Sequence, residues 1–135
     1  MFQLHPQLAK DTFEIASPTH LRVLLMNDAR YPWLILVPEK PDLVELHDLT
    51  VEDYGSVVAE IRRISILMKA LFKADKMNVA ALGNMVPQLH IHIIARFQSD
   101  PAWPAPVWGM GDAVPYDKAA ANSRIDLIRN ALAHS

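Results

Sequence analysis

Apolar residues along this chain fall into short dense runs and two longer periodic stretches. Leu21 to Met26 (LRVLLM) and Trp33 to Val37 (WLILV) are too short for helices and too apolar for loops, so both predict buried strands. The polar stretch Asn27 to Pro32 between them has turn composition, which makes the pair a hairpin with a long loop. Thr12 to Ala16 reads as a short strand closed by Ser17–Pro18. From Thr50 to Phe72 the apolar residues Tyr54, Val57, Val58, Ile61, Ile64, Met68, Leu71 and Phe72 recur at helical spacing. Thr50 is placed to cap that helix, and Glu52 and Asp53 meet the positive end of its dipole. Asn78 to Leu82 predicts a strand, and Gly83-Asn84 a turn. Leu89 to Phe97 (LHIHIIARF) predicts a strand that begins with strict alternation. The segment from Asp100 to Pro115, rich in proline, glycine and tryptophan, predicts an ordered loop. Asp117 to Ala133 predicts a closing amphipathic helix through Ile125, Leu127, Ile128 and Leu132. Strand, hairpin, long helix, two strands, loop and helix in that order imply an α+β domain with a mainly antiparallel sheet.

Composition narrows the functional classes. A length of 135 residues predicts one domain. The net charge of −2 gives no global basic field for nucleic acid, so a phosphate-bearing ligand is expected to bind through local donors. With no cysteine, disulfides, thiolate nucleophiles and cysteine–zinc sites are excluded. No stretch approaches the ~20 apolar residues of a membrane helix, and Met1 to Lys10 lacks the apolar run of a signal peptide. The expected location is therefore cytoplasmic.

One constellation carries chemistry. On the alternating strand Leu89, Ile91 and Ile93 point one way, and Gln88, His90 and His92 the other. Two histidines spaced this way sit on one face, about 7 Å apart along the strand. Such a pair can coordinate a metal, or present one attacking and one stabilising imidazole to a phosphate. An isolated pair of this kind is as often without a role.

The flanking residues change that balance. The segment from Gly83 through Asn84, Met85, Val86, Pro87, Gln88, Leu89, His90, Ile91 and His92 to Ile93 and Ile94 resembles the signature of the histidine-triad (HIT) superfamily. Gly83, Val86, His90, His92, Ile93 and Ile94 fall in register, and Gln88 replaces the first histidine. The element order is also similar over residues 2–97, with 98–135 as an added loop and helix. The resemblance implies a five-stranded, mainly antiparallel sheet with one long helix and a C-terminal helix. It further implies a nucleotide hydrolase or transferase in which His90 attacks the α-phosphorus to give a nucleotidyl-histidine, with His92 close to the phosphate. Its expected substrates are nucleoside phosphoramidates or purine dinucleoside polyphosphates. Asn84 stands where relatives place a phosphate-contacting amide, and Asn78 resembles a polar residue that also reaches the phosphate. Asn27 resembles the residue that grips the ribose hydroxyls. Gln88 is expected to serve through its amide or its backbone carbonyl, the latter by orienting His90. Trp33 occupies the place of a further histidine in many relatives, and Met85 that of a hydroxyl in some. Relatives pair as homodimers with a continued sheet, and Leu46 to Phe72 offers an apolar edge for this.

No cofactor and no metal are expected. A cupin-type metal site also uses two histidines on a strand, but it needs a further glutamate, and residues 93–99 contain none. A nucleotide-binding homologue with little turnover is the alternative that Gln88 and Trp33 suggest. Arg96 lies on the histidine face, where it adds positive potential or stands as a solvated strand-end arginine. Trp103 and Trp108 are expected in core or interface packing rather than stacked on a base. His5, His20, His47 and His134 are assigned no chemistry.

Overall fold

The computed structural model describes residues Met1–Ser135. Its elements are α1 (Pro6–Asp11), β1 (Thr12–Ala16), β2 (Leu21–Met26), β3 (Trp33–Pro38), α2 (Val51–Phe72), β4 (Lys76–Ala80), β5 (Ile91–Arg96) and α3 (Lys118–Ala133). The strands form one five-stranded sheet in the order β1-β2-β3-β5-β4, and every neighbouring pair is antiparallel. Helix α2 carries the chain from β3 past the vacant position to the far edge. Strand β5 then returns between β3 and β4 and is hydrogen-bonded on both sides. This is the α+β sheet with long and C-terminal helices expected from the sequence, and the interior strand β5 carries His92, with His90 one residue before it. No helix is long and apolar enough to cross a membrane.

Both faces of the sheet are covered, which explains why β2 and β3 show apolar runs rather than alternation. On one face Val23, Leu25, Leu34, Leu36, Leu89, Ile91 and Ile93 pack against Val57, Ile64 and Met68 of α2 and Ile125, Ile128 and Leu132 of α3. On the other, Leu24, Trp33, Ile35, Val37 and Ile94 pack against Leu8 of α1 and against Ala102 and Val107 of the loop after β5. The histidines belong to this second face.

Helix α2 begins as expected, with Thr50 Oγ1 accepting from the Asp53 amide at 3.1 Å. It stops at Lys73, whose left-handed φ of 54° turns the chain toward β4. Its core stripe is narrower than the periodicity implies, for Tyr54 and Val58 are 41% and 46% exposed. Three further expectations are corrected. Strand β4 starts two residues early, because Lys76 and Met77 pair with Arg96 and Ala95 whatever their own hydropathy. The ladder of β5 begins at Ile91, so Leu89 and His90 lie just before it. Helix α1 has no counterpart in the sequence reading. It holds one buried residue, Leu8, and is capped by His5, whose Nδ1 accepts from the Gln7 amide at 3.1 Å.

Arg96 is neither a field-setting nor a solvated cation. Its side chain is 2% exposed and that of Asp100 3%. Nε and Nη2 donate to the two Asp100 carboxylate oxygens at 2.8 and 3.0 Å, Nη1 to Asn78 Oδ1 at 2.8 Å, and Nη2 also to the Ala105 carbonyl at 2.8 Å. Burial alone raises the Asp100 carboxyl. Arg96 and the amides of Phe97 and Trp103 outweigh it and hold that group at about 2. The loop is tied a second time, at the β2–β3 turn. Buried Asp28 accepts from Arg30 Nε and Nη2 at 3.0 and 2.9 Å, and Arg30 Nη1 donates to the Met110 carbonyl at 2.6 Å. Ala29 donates to the Val114 carbonyl at 2.6 Å, and the Tyr116 amide to Asn27 Oδ1 at 2.9 Å.

Candidate active site

The two histidines open into a cleft of about 220 Å³, small for a ligand site, so that only part of a nucleotide is enclosed. Gln7, Leu8 and Asp11 of α1 form one wall with Met26. The loop Leu82–Val86 and Trp108 also line the cleft. Gly83 sits at φ +81°, a backbone state that favours glycine, where that loop turns over His90. A larger cavity of about 490 Å³ lies between the end of β3 and the first turns of α2. It offers no comparable pair of nucleophilic groups, and its Lys40 and Asp53 are already paired with each other. The chemistry therefore assigns the site to the smaller cleft.

Hydrogen bonding fixes the tautomer that each ring takes when neutral. His90 Nδ1 lies 2.7 Å from the Gln88 carbonyl oxygen. A carbonyl only accepts, so Nδ1 carries the proton and Nε2 keeps its lone pair. His92 Nδ1 lies 3.0 Å from Trp33 Nε1. An indole nitrogen only donates, so His92 Nδ1 is the acceptor and the proton of the neutral ring is on Nε2. The rings stand edge to face, 5.0 Å between centroids, and are 7% and 5% exposed. Burial, and secondarily the neighbouring His90, pushes His92 from 6.5 down to about 4. With both rings neutral, the site thus pairs a bare imidazole nitrogen with a neutral N–H donor.

That depressed value has a consequence for stability. Between pH 6.5 and 4 the unfolded chain protonates His92 while the folded chain refuses the proton, so stability falls as pH drops through this window. The effect is absent above 6.5 and reaches about 3 kcal/mol near pH 4. Urea unfolding at pH 7 and pH 4 should show a loss larger by about that amount in the parent than in His92→Phe. Equal losses in the two proteins would remove this assignment.

The remaining predicted residues are placed unevenly. Asn84 lines the cleft, and its side chain makes no hydrogen bond within the protein. Gln88 points away: its Oε1 accepts from the His5 amide and its Nε2 donates to the Gln3 carbonyl, both at 2.8 Å. Only its backbone carbonyl serves the site. Asn27 and Asn78 do not line the cleft, and their Oδ1 atoms are occupied by the Tyr116 amide and Arg96. Trp108, expected in plain packing, stands edge-on to His92 at 5.0 Å and to Trp33 at 5.8 Å. Trp103 lies over the Arg96 guanidinium at 5.9 Å. Sequence reasoning missed Gln7 and Asp11, for which the only signal was Pro6 at a helix start. No group of three or more histidine, cysteine, aspartate or glutamate side chains is placed to hold a metal ion.

Comparison with known proteins bears on the family and the fold. Residues 7–99 match the model of the HIT domain. A histidine triad protein from Marinobacter aquaeolei is 47% identical, covering 99% of this chain and 98% of its own, with a TM-score of 0.96. One from Bradyrhizobium japonicum is 45% identical over 96% of each chain, with a TM-score of 0.92. The bis(5'-adenosyl)-triphosphatase of Saccharomyces cerevisiae is 31% identical over 90 residues, 63% of this chain, and the match spans 39% of the yeast protein. Residues 7–99 hold the whole sheet and both histidines, and on that ground the chain belongs to the HIT domain family.

Proposed function

We propose that this protein is a nucleotide hydrolase in which His90 is the nucleophile. The observation that carries the reading is the bond from His90 Nδ1 to the Gln88 carbonyl, which puts the lone pair of the neutral ring on Nε2, in a site where both imidazoles are buried. Nε2 bonds to the α-phosphorus as the bond to the leaving group breaks, and the leaving group takes a proton from solvent. Water then attacks the phosphorus, releasing Nε2 and a nucleoside monophosphate. The Nε2–H of His92 and the free amide of Asn84 supply donors to the phosphoryl oxygens without a metal.

The charge of the cleft favours one substrate class. No lysine or arginine lines it, and one carboxylate, Asp11, does. Arg30 and Arg96 are committed to Asp28 and Asp100. Neutral donors suit a single phosphate, whereas a polyphosphate bridge finds no cation to meet its charge. A nucleoside phosphoramidate fits better than a dinucleoside polyphosphate. Mixing the protein with an adenylylated amine and quenching in alkali, where phosphohistidine bonds survive, should leave adenylate on the peptide that holds His90. Binding with no adduct and no turnover would instead support a regulatory homologue.

We also propose a homodimer. Strand β4 is an unpaired sheet edge with Val79 46% exposed, and α2 presents Tyr54, Val58 and Ile66 to solvent. Sedimentation at micromolar concentration should give twice the chain mass of 15.2 kDa, and a 15.2 kDa species would count against it.

A further inference from the structure

Trp33 is the first residue of the central strand β3, 59 residues from the histidine it contacts. It pairs directly with Ile94 across β3 and β5, while His92 pairs with Ile35. Trp33 and His92 are therefore diagonal neighbours on one face, a separation that an aromatic side chain spans. Tyr31 and Trp108 stand edge-on to the indole at 6.3 and 5.8 Å and fix its plane. The indole is 4% exposed, so no water competes for its N–H.

We propose, resting on the hydrolase reading above, that Trp33 is a positioning residue: its indole N–H holds His92 in the single tautomer that carries its proton on Nε2. The physical ground is the one-sidedness of indole. A histidine or an amide at that place can donate or accept, and leaves the ring opposite free to choose. Indole can only donate, so His92 Nδ1 is fixed as the acceptor. A protonated His92 would set N–H against N–H, so the same contact also disfavours the cation. Two imidazoles 5.0 Å apart are thereby given different work. His90 keeps a lone pair for attack, and His92 keeps a donor for the phosphoryl oxygen and cannot compete as a nucleophile through Nε2. The other ionisable groups lining the cleft are His90 of β5's leading segment and Asp11 of α1, and no lysine or arginine is among them. Neither group contacts His92 Nδ1 in the way Trp33 does.

The test removes the N–H and keeps the shape. Site-specific replacement of Trp33 by 3-benzothienylalanine preserves the bicyclic ring, and Trp33→Phe is the simpler companion. Nitrogen-15 NMR of labelled imidazoles in the free protein reads the tautomer without any substrate. The parent should show His92 with an unprotonated Nδ1 and a protonated Nε2 at neutral pH. The sulfur analogue should show averaged nitrogen shifts and a titration midpoint raised from about 4. Its kcat should fall by about tenfold with KM little changed, as for loss of one aligned donor. Mixed tautomers in the parent, an unchanged His92 pattern in the analogue, or a changed pattern with parental kcat would each overturn the proposal. A parent with the expected spectrum but no nucleotide turnover would overturn the hydrolase reading instead, and with it the catalytic part of this one.

Discussion

His90→Ala is expected to abolish both the covalent adduct and nucleotide turnover, a loss on the order of 10⁴- to 10⁶-fold. No other side chain in the cleft brings an unprotonated nitrogen to the place of Nε2, since the His92 Nε2 carries a proton. The variant should nevertheless fold, because it loses only one side-chain hydrogen bond and the hydrophobic clusters on both faces of the sheet are untouched. His92→Ala should cost less, on the order of a hundredfold, as removal of a donor rather than of the attacking group. Gln88→His should change turnover by less than about tenfold, for the Gln88 side chain points at the amino-terminal segment and the carbonyl that orients His90 is kept. Steady-state and single-turnover rates on a nucleoside phosphoramidate give the ordering. Substantial turnover in His90→Ala would eliminate the mechanism.

Arg96→Ala carries the largest expected loss of stability, about 3–5 kcal/mol. The substitution leaves the 3%-exposed Asp100 carboxylate without its counter-ion and also strips partners from Asn78 Oδ1 and the Ala105 carbonyl. For a chain of this size that corresponds to a drop of roughly 10–20 °C in Tm. Replacing the pair together, Arg96→Met with Asp100→Leu, should recover part of the loss, because no unpaired charge is then buried. Thermal denaturation of the single and double variants decides it. A single-variant loss below about 1 kcal/mol would show the pair to be no more than a surface contact.

What the sequence revealed follows the range of the interactions involved. Helix α2 and strands β2 and β3 were legible, since Thr50 capping, helical spacing and apolar runs are local properties. The histidine pair was legible because a two-residue spacing fixes a face. Helix α1 was not, with one buried apolar residue and a histidine where Ser, Thr or Asp usually caps. Strand β4 was displaced because its boundaries are set by the partners Arg96 and Ala95, not by its own residues. Arg96 read as a source of positive potential or a solvated strand end, because its partner Asp100 stands four positions on and outside the strand. The tautomer of His92 and the entry of Trp108 into the cleft depend on contacts between distant segments, which no local pattern encodes.

The loop from Asp100 to Tyr116, fastened at Asp100 and again at the β2–β3 turn, also sets a timetable for synthesis. A nascent chain released from the ribosome tunnel only as far as Arg96 already possesses Trp33, His90 and His92. It has only part of the cover over Trp33, Ile35 and Ile94, from Leu8 and Tyr31, because Ala102, Val107 and Trp108 are still to come. Such a chain exposes an oily sheet surface and a buried-type arginine without its carboxylate. Cotranslational folding of this protein should therefore be late and abrupt, with chaperone contacts falling away only as the Pro/Trp segment emerges.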